Sequence, residues 1–165
     1  MPELPEVETT ARGLEIIRNQ EISKVKIHTK KLRFEIPITI KIILSNSKIS
    51  NIRRIAKYII ADLNNGYSFI IHLGMSGRLK TCLFKYKREK HDHLIISFIN
   101  KKILVYNDPR KFGFIDIVKT RKLHKRKYII NLGIDALSPE LKPAYLYDKI
   151  NKSEVPIKQI LLNQK

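Results

Sequence analysis

Apolar side chains at Leu4, Val7, Ala11, Leu14 and Ile17 recur at helical spacing, with polar residues between them. The spacing predicts an amphipathic helix running to about Arg18. Glu3, Glu6 and Glu8 stand near its start and Arg12 and Arg18 further along, the order that a helix dipole favours. From Glu21 the period shortens to two. Val25 and Ile27 alternate with Lys24, Lys26 and His28, which predicts a half-buried strand. Residues 36–44 alternate around Pro37 and then run apolar, fitting an edge strand or a short helix. Residues 49–63 read as one long or bent strand. Asn64-Asn65-Gly66 then makes a tight hairpin turn, because Asn-Gly tolerates positive φ, and residues 67–73 return from it.

Further strands are predicted at residues 79–84, 94–99, 103–106 and 112–118, with Asn100-Lys101 turning between two of them. Many short strands with few helical patterns between them argue for an antiparallel sandwich or barrel. Residues 119–128 are mostly cationic and are expected to be solvated. Pro143 opens a short helix through Asn151, and Pro156 another with Ile157, Ile160 and Leu161 on its apolar face. That last helix is too short to be stable alone and reads as the first turns of something longer.

Composition changes the picture in one respect. The 165 residues are 43% hydrophobic, enough for one domain with a real core. They carry 33 Lys and Arg against 15 Asp and Glu, a formal charge of +18. A polyanionic partner follows, and nucleic acid is the commonest one. A bias toward Lys, Ile and Asn would also raise the charge without any partner. Cys82 is the single cysteine, so neither an intramolecular disulfide nor a cysteine zinc cluster is expected. No signal-peptide pattern opens the sequence and no apolar run approaches membrane-spanning length, so a cytoplasmic protein with no membrane partner is expected.

The first eight residues read MPELPEVE. Proline and acids at a helix start ordinarily serve capping and the dipole. Removal of Met1 would expose the secondary amine of Pro2, with Glu3 beside it. An α-amine titrates near 8 against about 10.4 for lysine, so its neutral, nucleophilic fraction at pH 7 is roughly two orders of magnitude larger. A neutral amine next to a proton donor is a Schiff-base nucleophile in outline. Further along stand Arg53-Arg54-Ile55-Ala56-Lys57-Tyr58, with the lysine in a strand-like setting, and Ile71-His72-Leu73-Gly74-Met75-Ser76-Gly77, a strand ending in a glycine-flanked loop. Lys90-His91-Asp92-His93 precedes a strand. Asn107-Asp108-Pro109-Arg110-Lys111-Phe112-Gly113 is a turn with two cations and an aromatic, and Leu132-Gly133-Ile134-Asp135-Ala136-Leu137-Ser138 lies beyond it. His91-Asp92-His93 lacks a third ligand for a metal.

Together and in this order, these motifs resemble the bacterial formamidopyrimidine-DNA glycosylases over the whole chain; MPELPEVE, HLGMSG and DPRKFG favour that branch over the endonuclease VIII type. The resemblance implies a mainly β, α+β fold: an N-terminal helix and an antiparallel two-sheet β-sandwich over residues 1–150, with residues 151–165 beginning a linker helix toward a further domain. It implies base-excision repair of 8-oxoguanine and formamidopyrimidine in double-stranded DNA, with lyase activity at the abasic site. Pro2 would attack the sugar C1′, Glu3 would give or take a proton at the opening sugar, Lys57 would contact the damaged base and assist, and Glu6 would support them. Met75, Arg110 and Phe112 match the family's plug, cation and wedge for the space left by a flipped nucleotide. Taken alone, Met75 and Phe112 fit ordinary core packing better, although Phe112, between Lys111 and Gly113 on a turn after Pro109, is the less convincing of the two as core. His91 and Arg110 match positions that hold the DNA backbone, with Lys152 or Lys158 in weaker register.

Family members continue with a helix–two-turn–helix module and a four-cysteine zinc finger that adds a DNA-gripping arginine. The single Cys82 leaves no such finger in this sequence, so no cofactor is expected in it. The expectation is a catalytic N-terminal domain that works with a separately encoded C-terminal half, bound to nucleoid DNA. The alternative is an inactive remnant that binds DNA weakly and non-specifically. Either way, the surface that would meet the second lobe is expected to expose apolar side chains.

Overall fold

The computed structural model describes residues 2–83, 85–151 and 153–162. Two compact units divide it, residues 1–123 and 124–165. The boundary falls earlier than the residue 150 at which the sequence motifs suggested one.

In the first unit, helix α1 spans Leu4–Gly13 and tightens into a 3-10 turn at Leu14–Ile17. The α-helix therefore stops short of Arg18, although the predicted face is kept: Val7, Ala11, Leu14 and Ile17 are all buried. Strand β1 (Ile22–Ile27) follows, then helix α2 (Ile40–Leu44), which resolves the ambiguous stretch in favour of a helix. Strands β2 (Ile49–Ile55), β3 (Tyr58–Leu63), β4 (Tyr67–His72), β5 (Arg78–Leu83), β6 (Asp92–Phe98), β7 (Lys102–Asn107) and β8 (Phe114–Lys119) complete the β structure.

The strands form two antiparallel four-stranded sheets, ordered β1-β6-β7-β5 and β2-β3-β4-β8. Their facing side chains share one core. Val25, Leu94, Ile96, Leu104 and Tyr106 come from the first sheet, Ile52, Ile59, Phe69, Ile71 and Ile115 from the second, and Val7, Ala11 and Leu14 from α1. Two packed sheets flanked by helices make an α+β sandwich.

The stretch read as a single strand over residues 49–63 is two. Ile55 pairs with Tyr58, so Ala56 and Lys57 form a two-residue turn and not a strand interior. Ala56 takes φ +48° there. A left-handed residue suits the twist of a tight hairpin, at a cost of about 1 kcal/mol for a non-glycine. Gly66 (φ +79°) and Lys101 (φ +67°) close the two turns that the sequence pattern marked.

The cationic stretch after β8 is not wholly solvated. A 3-10 helix, Thr120–Lys125, seats Leu123 with no exposure at all. The second unit holds helices α3 (Lys127–Ile130), α4 (Pro143–Ile150) and α5 (Ile157–Leu162). Tyr147, Ile157, Leu161 and Leu162 are exposed on it. No helix among the described residues is long and apolar enough to cross a membrane.

Candidate active site

Two ion pairs place the turn of the β2–β3 hairpin against the start of α1. Arg54 Nε donates to Glu8 Oε2 at 2.7 Å, and Arg54 Nη1 donates to the Ala56 carbonyl at 3.0 Å. One guanidinium thus holds both the helix and the strained turn. Its hydrogen bond to Glu8, with that from Arg12, keeps the Glu8 carboxyl below the usual carboxylate range. The second pair lies one helical turn earlier, where Lys57 Nζ meets Glu3 Oε2.

Glu3 is the N-cap of α1, and Pro5 lies in the first turn of the helix. The Glu3 backbone N–H donates to Glu6 Oε2 at 2.9 Å, so Glu6 satisfies a donor that the helix start leaves open. Pro2 therefore precedes a fixed residue. The Lys57 side chain is 19% exposed and that of Glu3 40%. An ammonium, a carboxylate and the chain's second residue converge here, at the open edge of the hairpin.

A second group of residues occupies the same end of the β2-β3-β4-β8 sheet. The Tyr58 and His72 rings lie 5.1 Å apart, and His72 stacks on Phe114 at 5.3 Å. His72 Nδ1 accepts the Gly74 N–H at 3.1 Å, which fixes the entry to the loop bearing Met75. Burial pushes the His72 imidazole down to about 4, with Arg33 and Lys57 adding to the shift.

Gly74 sits at φ +64° against the Phe112–Gly113 backbone, and a Cβ there would collide with it. The loops bearing Met75 and Phe112 thus lie back to back. Both side chains point outward, with Met75 44% and Phe112 46% exposed, so neither is core. The Arg110 guanidinium lies 4.5 Å from the centre of the Phe112 ring. A thioether, a cation and an aromatic ring are offered together to the outside.

Asp108 organises these loops and carries no exposure. Its Oδ1 accepts the Ser76 hydroxyl at 2.5 Å, and its Oδ2 accepts the Gly113 N–H at 2.9 Å and the Tyr106 hydroxyl at 3.3 Å. Its own N–H donates to the His91 carbonyl at 3.1 Å, and its carbonyl meets His93 Nε2 at 2.9 Å. Asp92 is occupied as well, accepting from Asn107 Nδ2 at 2.8 Å and from Tyr86 and the Glu89 N–H at 2.7 Å each. The Asp92 and His93 side chains are therefore spent on hydrogen bonds, and the Asp108 N–H sets the His91 backbone beside the Arg110 loop.

The structure thus gathers Pro2, Glu3, Glu6 and Lys57 in one cluster, and Met75, His91, Arg110 and Phe112 around Asp108. Lys152 lies outside the described residues, and Lys158 is exposed on α5 in the second unit. Sequence reasoning missed Asp108, Arg54 and His72 as site-builders. Asp108 stood in view within a turn motif, where an Asp before Pro reads as turn chemistry.

Comparison with known proteins fits this geometry. Residues 1–115 match the family model of the formamidopyrimidine-DNA glycosylase N-terminal domain. The chain is 40% identical to the formamidopyrimidine-DNA glycosylase of Rickettsia africae, over all of this chain and 60% of that protein. It is 43% identical to that of Zymomonas mobilis, over all of this chain and 61% of that protein. Among solved structures, the Lactococcus lactis enzyme in complex with DNA containing an abasic site superposes with a TM-score of 0.88 at 32% identity, covering 99% of this chain and 61% of that one. The same enzyme with DNA containing N7-benzyl-Fapy-dG gives 0.87 at 32% identity, again over 99% of this chain and 61% of that one. This chain belongs to the formamidopyrimidine-DNA glycosylase family and carries its N-terminal domain. It spans about 60% of the length of the curated relatives it matches. A four-cysteine zinc site does not fit a sequence whose one cysteine is Cys82.

Proposed function

We propose that this chain supplies the reactive centre of a base-excision-repair DNA glycosylase with abasic-site lyase activity, acting on oxidised purines such as 8-oxoguanine and formamidopyrimidines in duplex DNA. The observation that carries the reading is the Lys57–Glu3 ion pair at the cap of α1, directly beside Pro2. With Met1 removed, the Pro2 nitrogen attacks C1′ of the damaged nucleotide. The bond from C1′ to the base breaks, and the departing base takes its electrons and a proton, for which Lys57 is the nearest ammonium. Glu3, as a carboxylate, takes the proton from the Pro2 nitrogen and passes it to the ring oxygen as that oxygen leaves C1′, so an iminium forms between Pro2 and the opened sugar. Loss of a C2′ proton then expels the 3′ phosphate, a further elimination expels the 5′ phosphate, and water hydrolyses the iminium to return the amine.

Met75, Arg110 and Phe112 suit the step that must come first. Flipping a nucleotide out of the stack costs a few kcal/mol, and side chains that occupy the gap offset part of it. A half-exposed Met and a half-exposed Phe on loops tied through Asp108 are arranged for that insertion, with Arg110 to hydrogen-bond the base left without its partner. His91 and Arg110 are candidates for the phosphates on either side.

Borohydride trapping on two duplexes tests this reading, one bearing 8-oxoguanine and one a preformed abasic site. Covalent adducts are expected with both, and Lys57→Ala should lose the 8-oxoguanine adduct while keeping the abasic one. No adduct on either duplex, with the chain alone or supplemented with a relative's C-terminal half, overturns the enzyme reading. Duplex binding without trapping would leave the rival reading, a protein that binds DNA but performs no chemistry.

A further inference from the structure

The connection from β5 to β6 has no regular secondary structure over residues 85–91, yet it is fastened to the sheet at two points. Tyr86 packs on the outer face of the β1-β6-β7-β5 sheet, against Ile95, Ile103 and Val105. Its hydroxyl donates to Asp92 Oδ2 at 2.7 Å, and the Glu89 N–H donates to the same oxygen at 2.7 Å. Burial opposes ionisation of Asp92, but the hydrogen bonds from Asn107, Glu89 and Tyr86 outweigh it and hold the carboxyl below its usual range. The latch is therefore an ionised acceptor at neutral pH.

The strap's one acid, Glu89, is paired with Lys80 at 2.9 Å. Lys85, Lys87, Arg88 and Lys90 remain exposed, and among the described residues none of the four is in an ion pair. The positive surface also continues toward the Phe112 loop. Burial, then the charges of Arg88 and Lys26, hold the His28 imidazole below its usual range. One residue on, the Thr29 hydroxyl accepts from Lys111 Nζ at 3.4 Å. The charge of the strap is thus felt at His28, whose neighbour Thr29 meets Lys111, next to Phe112.

We propose that this latched strap is a further DNA-backbone contact, in which Lys87 and Arg88 meet phosphates of the duplex flanking the lesion, beyond the reach of His91 and Arg110. The proposal rests on the DNA reading above. A backbone already latched to the sheet loses little freedom on binding, so the contact is favourable even though the segment is irregular. Each phosphate neutralised releases condensed counterions and steepens the dependence of affinity on salt.

Fluorescence anisotropy of a labelled duplex, titrated with the full 165-residue chain at several salt concentrations, tests it. The double variant K87Q/R88Q should make the plot of log affinity against log salt shallower by about 2, since each lost contact removes roughly 0.9. R121Q/K122Q removes the same charge near the Gly66 turn, at the far end of the other sheet, and should leave the slope unchanged. Equal slopes for K87Q/R88Q and the unaltered chain overturn the strap contact alone, as do equal reductions in the two double variants. Failure of the unaltered chain to bind duplex DNA at any salt concentration overturns the DNA reading and the strap together.

Discussion

Asp108 Oδ1 accepts the Ser76 hydroxyl at 2.5 Å, and with the Arg110 N–H donating to the same hydroxyl oxygen at 3.3 Å this ties the loop bearing Met75 to the loop bearing Arg110 and Phe112. The same carboxylate also accepts the Gly113 N–H and the Tyr106 hydroxyl. An amide in its place would turn an N–H₂ toward one of those donors. Asp108→Asn should therefore lower stability by about 2–3 kcal/mol, and Ser76→Ala by about 1 kcal/mol, the costs of leaving buried polar groups unsatisfied. Urea unfolding of the two variants checks this, and a loss under about 0.5 kcal/mol for Asp108→Asn would contradict the role given to it.

Met75 and Phe112 should behave in the opposite way. Each is nearly half exposed, so truncation to Ala removes little buried surface and should cost under about 1 kcal/mol of stability. Affinity for a duplex containing a lesion should nevertheless fall by about tenfold or more. Affinity for single-stranded DNA, where nothing must be flipped, should hardly change. Parallel titrations of the two substrates separate these effects.

His72 gives the fold a pH dependence. Its folded value, about 4, lies below the ordinary 6.5, so the unfolded chain takes up a proton first as pH falls. Stability from this group is whole above about pH 6.5 and declines between there and pH 4, by on the order of 2–3 kcal/mol. Protonation of Nδ1 would also break its bond to the Gly74 N–H. Unfolding curves between pH 7.5 and 4.5 should show the decline, and His72→Gln should flatten it. An equal decline in that variant would assign the effect to other groups.

Glu8 acts lower on the pH scale. Its folded value is depressed by Arg54 and then Arg12, so its contribution is present above the unfolded value of about 4.3 and is lost as pH falls through the folded one. The carboxylate is a quarter exposed, which limits the contribution to about 0.5–1 kcal/mol. The difference between the unaltered chain and Glu8→Gln should be constant above about pH 5 and shrink below about pH 4. Differential unfolding at pH 6 and pH 3.5 measures it.

The strands and the buried face of the first helix were legible because alternation and helical spacing put Ile, Val and Leu on defined faces. The Asn64-Asn65-Gly66 turn was legible because Gly66 suits left-handed backbone, and Asn100-Lys101 because Asn favours turns, although it is Lys101 that takes the positive φ. The Ala56-Lys57 turn was hidden for the same reason: neither residue signals a turn, and Arg54 holds Ala56 at its positive φ through a contact with α1 that no local pattern contains. That turn brings Lys57 to Glu3, so spacing alone could not have joined the two. Leu123 was likewise masked by its cationic neighbours. The motifs around Met75 and Arg110 were visible, but Asp108, which joins them, read as part of a turn.

In the proposed reaction the Pro2 amine is the nucleophile, with Glu3 and Lys57 beside it. Borohydride trapping on an abasic-site duplex, followed by protease digestion and mass spectrometry of the adduct, tests it most directly. The sugar remnant should map to the peptide beginning at Pro2, and Pro2→Gly should abolish or greatly reduce trapping. An adduct mapped to Lys57 or another lysine, or trapping that persists undiminished in Pro2→Gly, would contradict it.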